Sequence, residues 1–260
     1  MEGDTEALRH EIASSIATFA NSYKLEVGDS AVNWLEPLVG FADAQSPAIR
    51  ALKTVVSPTH FMPEDILDGA QTVISYFIPF DPRIGKGNVK GDEPSRVWVR
   101  AYNETNDMFV QLNLRLVTWL SSQGARAAVP ENIGTIDGEH IYSNWSQRHI
   151  AYAAGLGTFG INNMLITERG TCGRFSSLVT DIRIVPDAPL EEERCLYKRN
   201  GSCGACVNRC PIGALSLDGR FDREKCYDRL AVFERNLGAD VCGKCTVGLP
   251  CTFGHTKQKK

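Results

Sequence analysis

No apolar run in this chain approaches the length of a membrane-spanning helix, so no helical membrane partner is expected. A surplus of basic charge is also missing. The 28 Lys and Arg stand against 31 Asp and Glu, a net charge of −3, which excludes general affinity for nucleic-acid backbone or anionic lipid. The opening MEGDTEALRHE lacks the basic-then-apolar layout of a signal peptide. The closing HTKQKK is basic but short and reads as a solvated tail. No internal repeat is present beyond two sets of cysteines. The expectation is a cytoplasmic protein with no nucleic-acid or membrane partner, and its 260 residues have room for one large domain or two modest ones.

What is present reads first as a mixed domain. A helix is predicted from Asp4 or Thr5, with Leu8, Ile12, Ile16 and Phe19 down one face. AQTVISYFIPF (70–80) is a β-branched and aromatic run, predicted to be a buried strand. The Gly, Pro and Asp of DPRIGKGNVKGDEPS predict a loop. A long helix over about 95–122 carries Met108, Phe109, Leu112, Leu116 and Leu120 on one side and is closed by Gly124. ARAAVP and FSSLVTDIRIVP read as further strands. Interleaved strands and helices predict an α/β or α+β fold. VPDAPLEEER (185–194) mixes proline with acids and places a domain boundary near 187, giving domains 1–187 and 188–260.

AGLGTFGINN (154–163) contains G-x-G-x-x-G, the dinucleotide-binding pattern, which requires a strand before the first glycine and a helix after the third. Here the order is reversed. SNWSQRHIAYAA has helical spacing, Ser143 or Asn144 serves as its N-cap, and Gly155 falls at the left-handed stop. INNMLIT then reads as a strand. Asp181 is an acid at loosely suitable spacing, which is weak support. Gly155, Gly157 and Gly160 are expected instead to permit a sharp turn or the close approach of a large flat ligand.

Cysteine is the anomaly. Eight of the nine lie between Cys195 and Cys251, and clustered thiols in a reducing compartment point to a metal or redox centre. The first set is Cys195-x7-Cys203-x2-Cys206-x3-Cys210-Pro211, and the second is Cys226-x15-Cys242-x2-Cys245-x5-Cys251. The C-x3-C-P end matches the bacterial ferredoxin run, whose last cysteine ligates the other cluster. By that rule one [4Fe–4S] cluster uses Cys195, Cys203, Cys206 and Cys251, and the other uses Cys226, Cys242, Cys245 and Cys210. PIGALSLDG extends the likeness with an apolar strand after the Cys-Pro. Two features depart from the usual run: Asn200 stands where the first cysteine normally sits, and the second set is stretched and lacks the following proline. Zinc is the rival reading, since Cys203/Cys206 and Cys242/Cys245 are zinc-ribbon pairs, but it leaves four cysteines idle.

The glycine motif followed by a two-cluster module resembles the epoxyqueuosine reductase family and its relatives, the corrinoid reductive dehalogenases. The family motif AGLG-x-x-G-x-N is matched by Gly155, Leu156, Gly157, Gly160 and Asn162, and RAYNETND (100–107) sits where that family has a tyrosine-bearing segment. The resemblance covers roughly 65–255. It implies a nitroreductase-like domain holding cobalamin against those five residues, with a ferredoxin-like domain of two [4Fe–4S] clusters beside it. The tRNA-modifying members carry an acid just before the helix that precedes AGLG. Here IYSNW has none, and Asp137 and Glu139 lie upstream, out of register. Their tRNA-gripping helical repeats have no counterpart in the sequence, so epoxyqueuosine in tRNA is not the expected substrate.

His149 reads either as a packing histidine or as a proton donor, with an ordinary pKa near 6.5 that suits it to neutral pH. Tyr102 is either a core tyrosine or a phenolic proton donor. Cys172, the ninth cysteine, is either a small buried thiol or a thiol facing the redox site, with Arg174 placed to lower its pKa or to bind a phosphate or carboxylate. Two functions follow. One is a corrinoid-dependent reductase fed by a flavodoxin or ferredoxin and acting on a small molecule or another corrinoid. The other is a ferredoxin-type electron-transfer or corrinoid-handling protein with no substrate chemistry of its own. A flavin in the first domain is a third possibility.

Overall fold

The computed structural model describes residues 2–27, 30–131, 134–136 and 141–254. Its centre is the strand Thr72–Pro79, in which all eight residues are buried. A strand hydrophobic on both faces needs cover on both, and it receives it. Leu38–Asp43 pairs along one edge and Gly173–Thr180 along the other; Ala127–Ala128 then pairs with the latter, and every pairing is antiparallel. The register sets Phe77 opposite Phe175, with ring centroids 4.5 Å apart. The sheet is thus of the antiparallel, α+β kind.

Alternation decides what each face meets. Ile74, Tyr76 and Ile78 point into a core shared with Ile12 and Ile16 of the helix Glu2–Ser22, and with Met108, Leu112, Leu116 and Leu120 of the helix Arg96–Ser122. Each such aliphatic side chain contributes about 1.5–3 kcal/mol by leaving water. Ser95 caps the long helix by accepting from the Trp98 amide at 3.2 Å, and Gly124 beyond its end has φ +80°. Val73 faces the other way, into a cluster with Ile49, Trp145 and Ile150. The buried Tyr76 hydroxyl donates to Asn113 at 2.7 Å, and Asn113 donates to Ser176 at 3.0 Å, so no member of that row is left unsatisfied.

Several expectations need correction. The 81–95 segment is not all loop: Asp81 caps a short helix, Pro82–Gly87, by accepting from the Arg83 amide. The helix before the glycines spans Gln147–Ala153 and its N-cap is Ser146, not Ser143 or Asn144. Trp145 anchors the preceding residues, because its ring is fully buried and its Nε1 donates to Ser177 at 2.9 Å. Only Ala127 and Ala128 of ARAAVP join the sheet. PIGALSLDG forms a single bridge, Leu215 to Phe221, and no strand. The fifteen residues between Cys226 and Cys242 lie mostly in the helix Arg223–Leu237, which composition had not indicated. No described helix is long and apolar enough to cross a membrane. The basic tail 255–260 and the acids Asp137 and Glu139 lie outside the described residues.

Candidate iron–sulfur and electron-transfer site

The glycine motif is a helix stop followed by a hairpin. Gly155, at φ +72°, donates to Tyr152 O, and Leu156 donates to Ala151 O, closing the helix in a Schellman arrangement. The chain then runs through Gly157–Phe159, turns at 160–164, and returns as Leu165–Thr167. At all three glycines the space a Cβ would fill belongs to the chain itself. The nearest atom is Ala188 O at 2.6 Å for Gly155, Ile166 O at 2.4 Å for Gly157 and Asn162 Oδ1 at 2.5 Å for Gly160. Leu156 is buried against Gly40 and Leu165. The close approach foreseen for a flat ligand is therefore made by protein. Of the five residues matching the family motif, Gly160 and Asn162 line the cavity shared with the thiols.

The hairpin instead supplies part of the wall around the thiols. Cys195, Cys203, Cys206 and Cys251 line one small cavity of about 20 Å³ together with Gly160, Ile161, Asn162, Ile166, Leu196 and Leu249. No carboxylate lines it. Burial pushes the Cys206 thiol up to about 11 and the Cys251 thiol to about 12, with Cys195 and Cys203 adding to both. The other four cysteines act on one another in the same way. Burial, then Cys242 and Cys210, raises Cys226 to about 11; burial, then Cys242, Cys226 and Cys210, raises Cys245 to about 12. Cys206 is the next thiol to act on Cys245, so the two groups adjoin. A thiol held protonated in this way gives up its proton when a metal replaces it.

The donor set fits two four-iron clusters. Eight thiols, two buried and six half-buried, fall into two groups of four, and the first group rings a cavity and does not converge on a point. Among the described residues no three His, Cys, Asp or Glu groups stand close enough to share a single metal ion. Iron–sulfur clusters take four Cys thiolates each.

The two parts of the chain are fastened at this site. Asn162, 2% exposed, donates to Cys245 O at 2.7 Å. Asn88 donates to Cys242 O at 3.0 Å. Gly243, at φ +70°, lies so close to the Trp98 ring that a Cβ would meet it at 2.4 Å. The Thr171 and Cys172 amides donate to Cys251 O and Thr252 O at 3.0 Å. The proline-and-acid segment at 185–194 is pinned too. Asp187 accepts from Arg9 at 2.8 Å and from the Phe41 amide at 2.9 Å, and Glu193 accepts from Thr158 at 2.8 Å.

The candidate proton donors sit less openly than their residue types suggested. Burial, with Arg148 next, lowers His149 to about 4, so its imidazole is neutral at pH 7; Nδ1 is 2.8 Å from Ser146 Oγ and the ring lies 4.5 Å from that of Phe159. Tyr102 donates to Asp240 Oδ1, and the Arg174 guanidinium lies 3.8 Å above its ring; burial raises its pKa. Cys172 is a core thiol, 1% exposed, raised to about 12 by burial, and Arg174 does not lower it. Asp181 accepts from Arg126 at 2.7 Å and faces no nucleotide site. Sequence reasoning missed three cations near the second group, Arg148, Arg209 and Lys244. Their signal was present: Lys244 lies between Cys242 and Cys245, and Arg209 immediately precedes Cys210.

No family model matches the chain. Among curated proteins, epoxyqueuosine reductase of Bacillus anthracis is 28% identical over 168 residues, 63% of this chain and 41% of that enzyme. The Bacillus subtilis enzyme is 36% identical over 112 residues, 37% of this chain and 27% of its own. The chain thus matches about two fifths or less of these relatives' length. Among solved structures, epoxyqueuosine reductase from Bacillus subtilis superposes with TM-score 0.57 at 19% identity, over 95% of this chain and 66% of that one. A reductive dehalogenase described in terms of B12-dependent dehalogenation superposes with TM-score 0.54 at 16% identity, over 93% of this chain and 35% of that one. Another epoxyqueuosine reductase structure holds a tRNA stem loop. The structural likeness, at these identities, is one of fold.

Proposed function

We propose that this chain, which belongs to the superfamily of epoxyqueuosine reductase and the corrinoid reductive dehalogenases, is an iron–sulfur oxidoreductase. Cys195, Cys203, Cys206 and Cys251 hold one [4Fe–4S] cluster, and Cys210, Cys226, Cys242 and Cys245 hold the other. The observation that carries the reading is the sorting of eight thiols, Cys195 and Cys206 buried and the rest half-buried, into two adjoining groups of four, the first around a cavity free of carboxylates. The clusters supply one-electron chemistry that polypeptide lacks. Residues 188–260 act as the ferredoxin-like part, reduced by a flavodoxin- or ferredoxin-type donor. Residues 1–187 act as the nitroreductase-like part that presents the acceptor. A corrinoid is the acceptor class that likeness to a B12-dependent relative favours.

The chain's own residues shape this site in three ways. The hairpin brings Ile161 and Ile166 against the first group of thiols and excludes water there. Asn162, Asn88 and Trp98 fix the second group relative to the sheet. Glu193 accepts from the Cys195 amide at 3.2 Å and orients the first ligand of the run.

A second reading is electron transfer without substrate chemistry. It is favoured by the neutral His149 and by Tyr102, whose hydroxyl proton is engaged by Asp240. Anaerobic reconstitution with iron and sulfide, then addition of hydroxocobalamin, tests both. About eight irons and eight sulfides per chain are expected, and a base-off cobalamin spectrum with cobalt retained selects the reductase. Full iron without retained cobalt selects the electron carrier. Stoichiometric zinc in a colourless protein overturns both. A gel-shift assay with tRNA checks the expectation that no nucleic acid is bound.

A further inference from the structure

The two groups of thiols have unlike surroundings. Around the first, the cavity wall is apolar, with Ile161, Ile166, Leu196 and Leu249. The carboxylate of Glu193 accepts from the Cys195 amide and has Lys198 3.5 Å away, and Arg194 directly precedes Cys195.

Around the second group cations gather, with Asp92 as an acid among them. Arg148 reaches from the helix Gln147–Ala153 to donate to Asn163 O and, at 3.3 Å, to Met164 Sδ. The neighbouring Asn162 is the residue bonded to Cys245 O. Arg148 thereby comes to act on both Cys226 and Cys245. Lys244 is 2% exposed, and its Nζ donates to Asn88 O and Lys90 O, each at 2.9 Å. Arg209 donates to Lys244 O at 3.1 Å and to Val89 O. Arg229, one helical turn after Cys226, donates to Asp92 O. The partners of these four cations in those bonds are backbone carbonyls and one thioether, which are dipoles and not charges. The Asp92 side chain also faces Lys244. In addition, the Ala214 amide donates to Cys210 Sγ at 3.3 Å, a hydrogen bond to a ligand sulfur.

Cluster potential is set by nearby charge, hydrogen bonds to sulfur and solvent exposure. Reduction adds a negative charge. A fixed cation nearby stabilises the reduced state more than the oxidised one, and the effect is strong where water is excluded. Backbone N–H groups reach sulfur in both groups, Ala214 to Cys210 in the second and Val207 to Cys206 in the first, so the cations are what set the second group apart.

We infer that Arg148 and Lys244 set the cluster of Cys210, Cys226, Cys242 and Cys245 at the more positive potential of the two, so that a single electron taken up by the protein rests there. In that transfer the first cluster is oxidised by one electron and the second is reduced by one. No bond breaks and no proton moves. The inference rests on the two-cluster reading.

The test is a potentiometric titration of the reconstituted protein with dithionite, followed by electron paramagnetic resonance. Wild type, Arg148→Met, Lys244→Met and Arg148→Lys are compared, each with iron counted. The expected result is two one-electron steps in wild type. Arg148→Met and Lys244→Met each move the upper step to more negative potential and leave the lower step in place, and Arg148→Lys restores the upper step. Lys244→Met carries the test alone if Arg148→Met does not retain its iron. An upper step unmoved in fully loaded variants, or movement of the lower step alone, overturns the inference while leaving the two clusters standing. A wild-type protein that never holds two clusters overturns the functional reading, and this inference with it.

Discussion

A histidine pushed down to about 4 by burial makes a prediction of definite sign. In the unfolded chain His149 takes up a proton near pH 6.5, whereas in the folded protein it stays neutral until about 4. Above pH 6.5 neither state is protonated at this residue, and it contributes no slope. Between 6.5 and 4 the unfolded state binds the extra proton, so stability falls as pH falls. Melting temperature measured from pH 7.5 to 5 is expected to drop in wild type and to drop less in His149→Gln. Equal slopes would show that the imidazole is not buried as described. His60, lowered by the same cause, retains part of the slope in both proteins. The eight clustered cysteines were legible at this scale because only thiols offer that chemistry, and their spacing survives in any fold. The state of His149 was not legible, because it depends on Arg148, Phe159 and burial that only the folded chain assembles. The pairing of cysteines has its own check. Cys251→Ala should remove the cluster of the first group and leave about four irons, and Cys210→Ala should remove the other, with different residual spectra. Loss of the same spectral component in both variants would refute the crossed assignment of Cys210 and Cys251.

Elements declared themselves in proportion to how far their pattern ran. Arg96–Ser122 repeats its apolar face over many turns and has a serine cap and a glycine stop, and Thr72–Pro79 is an unbroken β-branched and aromatic run; each was readable within a few residues. The short helices Pro47–Arg50, Leu52–Val55 and Pro63–Ile66 have a single turn each, too little for periodicity to register, and they exist because Ile49, Leu52 and Met62 pack into the cluster around Trp145. The glycine hairpin is the informative case. Its letters suggested a ligand cradle, and its backbone shows self-packing. A Cβ at Gly157 would stand 2.4 Å from Ile166 O and 2.8 Å from Ile166 C, and neither is the end of a flexible side chain. Gly157→Ala must therefore open the hairpin and displace Ile166 from the thiols. It is expected to destabilise the protein by about 1–3 kcal/mol and to lower iron retention. Gly87→Ala, where nothing lies within 4 Å of the added carbon, is the matched control and should fall within about 0.5 kcal/mol of wild type. Denaturant unfolding of both, with iron counted after dialysis, decides the matter, and indistinguishable behaviour would sink this account of the motif.

At the scale of the whole molecule, the two parts of the chain differ in what holds them together. The sheet and its helices bury a continuous set of large side chains, from Ile12 through Tyr76 and Met108 to Leu178. Beyond Glu193 the buried apolar residues are few, and the cluster that contains Ile161, Ile166 and Leu215 is completed largely by cysteines: Cys195 and Cys206 within it, and Cys210, Cys245 and Cys251 packed against it. The half-buried Arg148 and the buried Lys244, of which Lys244 faces one acid, Asp92, add a burden there, since a charge drawn out of water is expensive and four thiolates on a cluster supply the opposite charge. Metal binding and folding should thus be one event for residues 195–254 and separate events for the sheet domain. Protein stripped with ferricyanide and a chelator is expected to be cleaved first within 195–254 under limited proteolysis, leaving a resistant fragment that carries the sheet. Reconstituted protein should resist at the same sites. Mass spectrometry of the earliest fragments reads the result. First cuts within 72–180 in the stripped protein, or an identical fragment pattern with and without iron, would mean that the C-terminal part is held by its side chains alone and that its cations need no cluster to balance them.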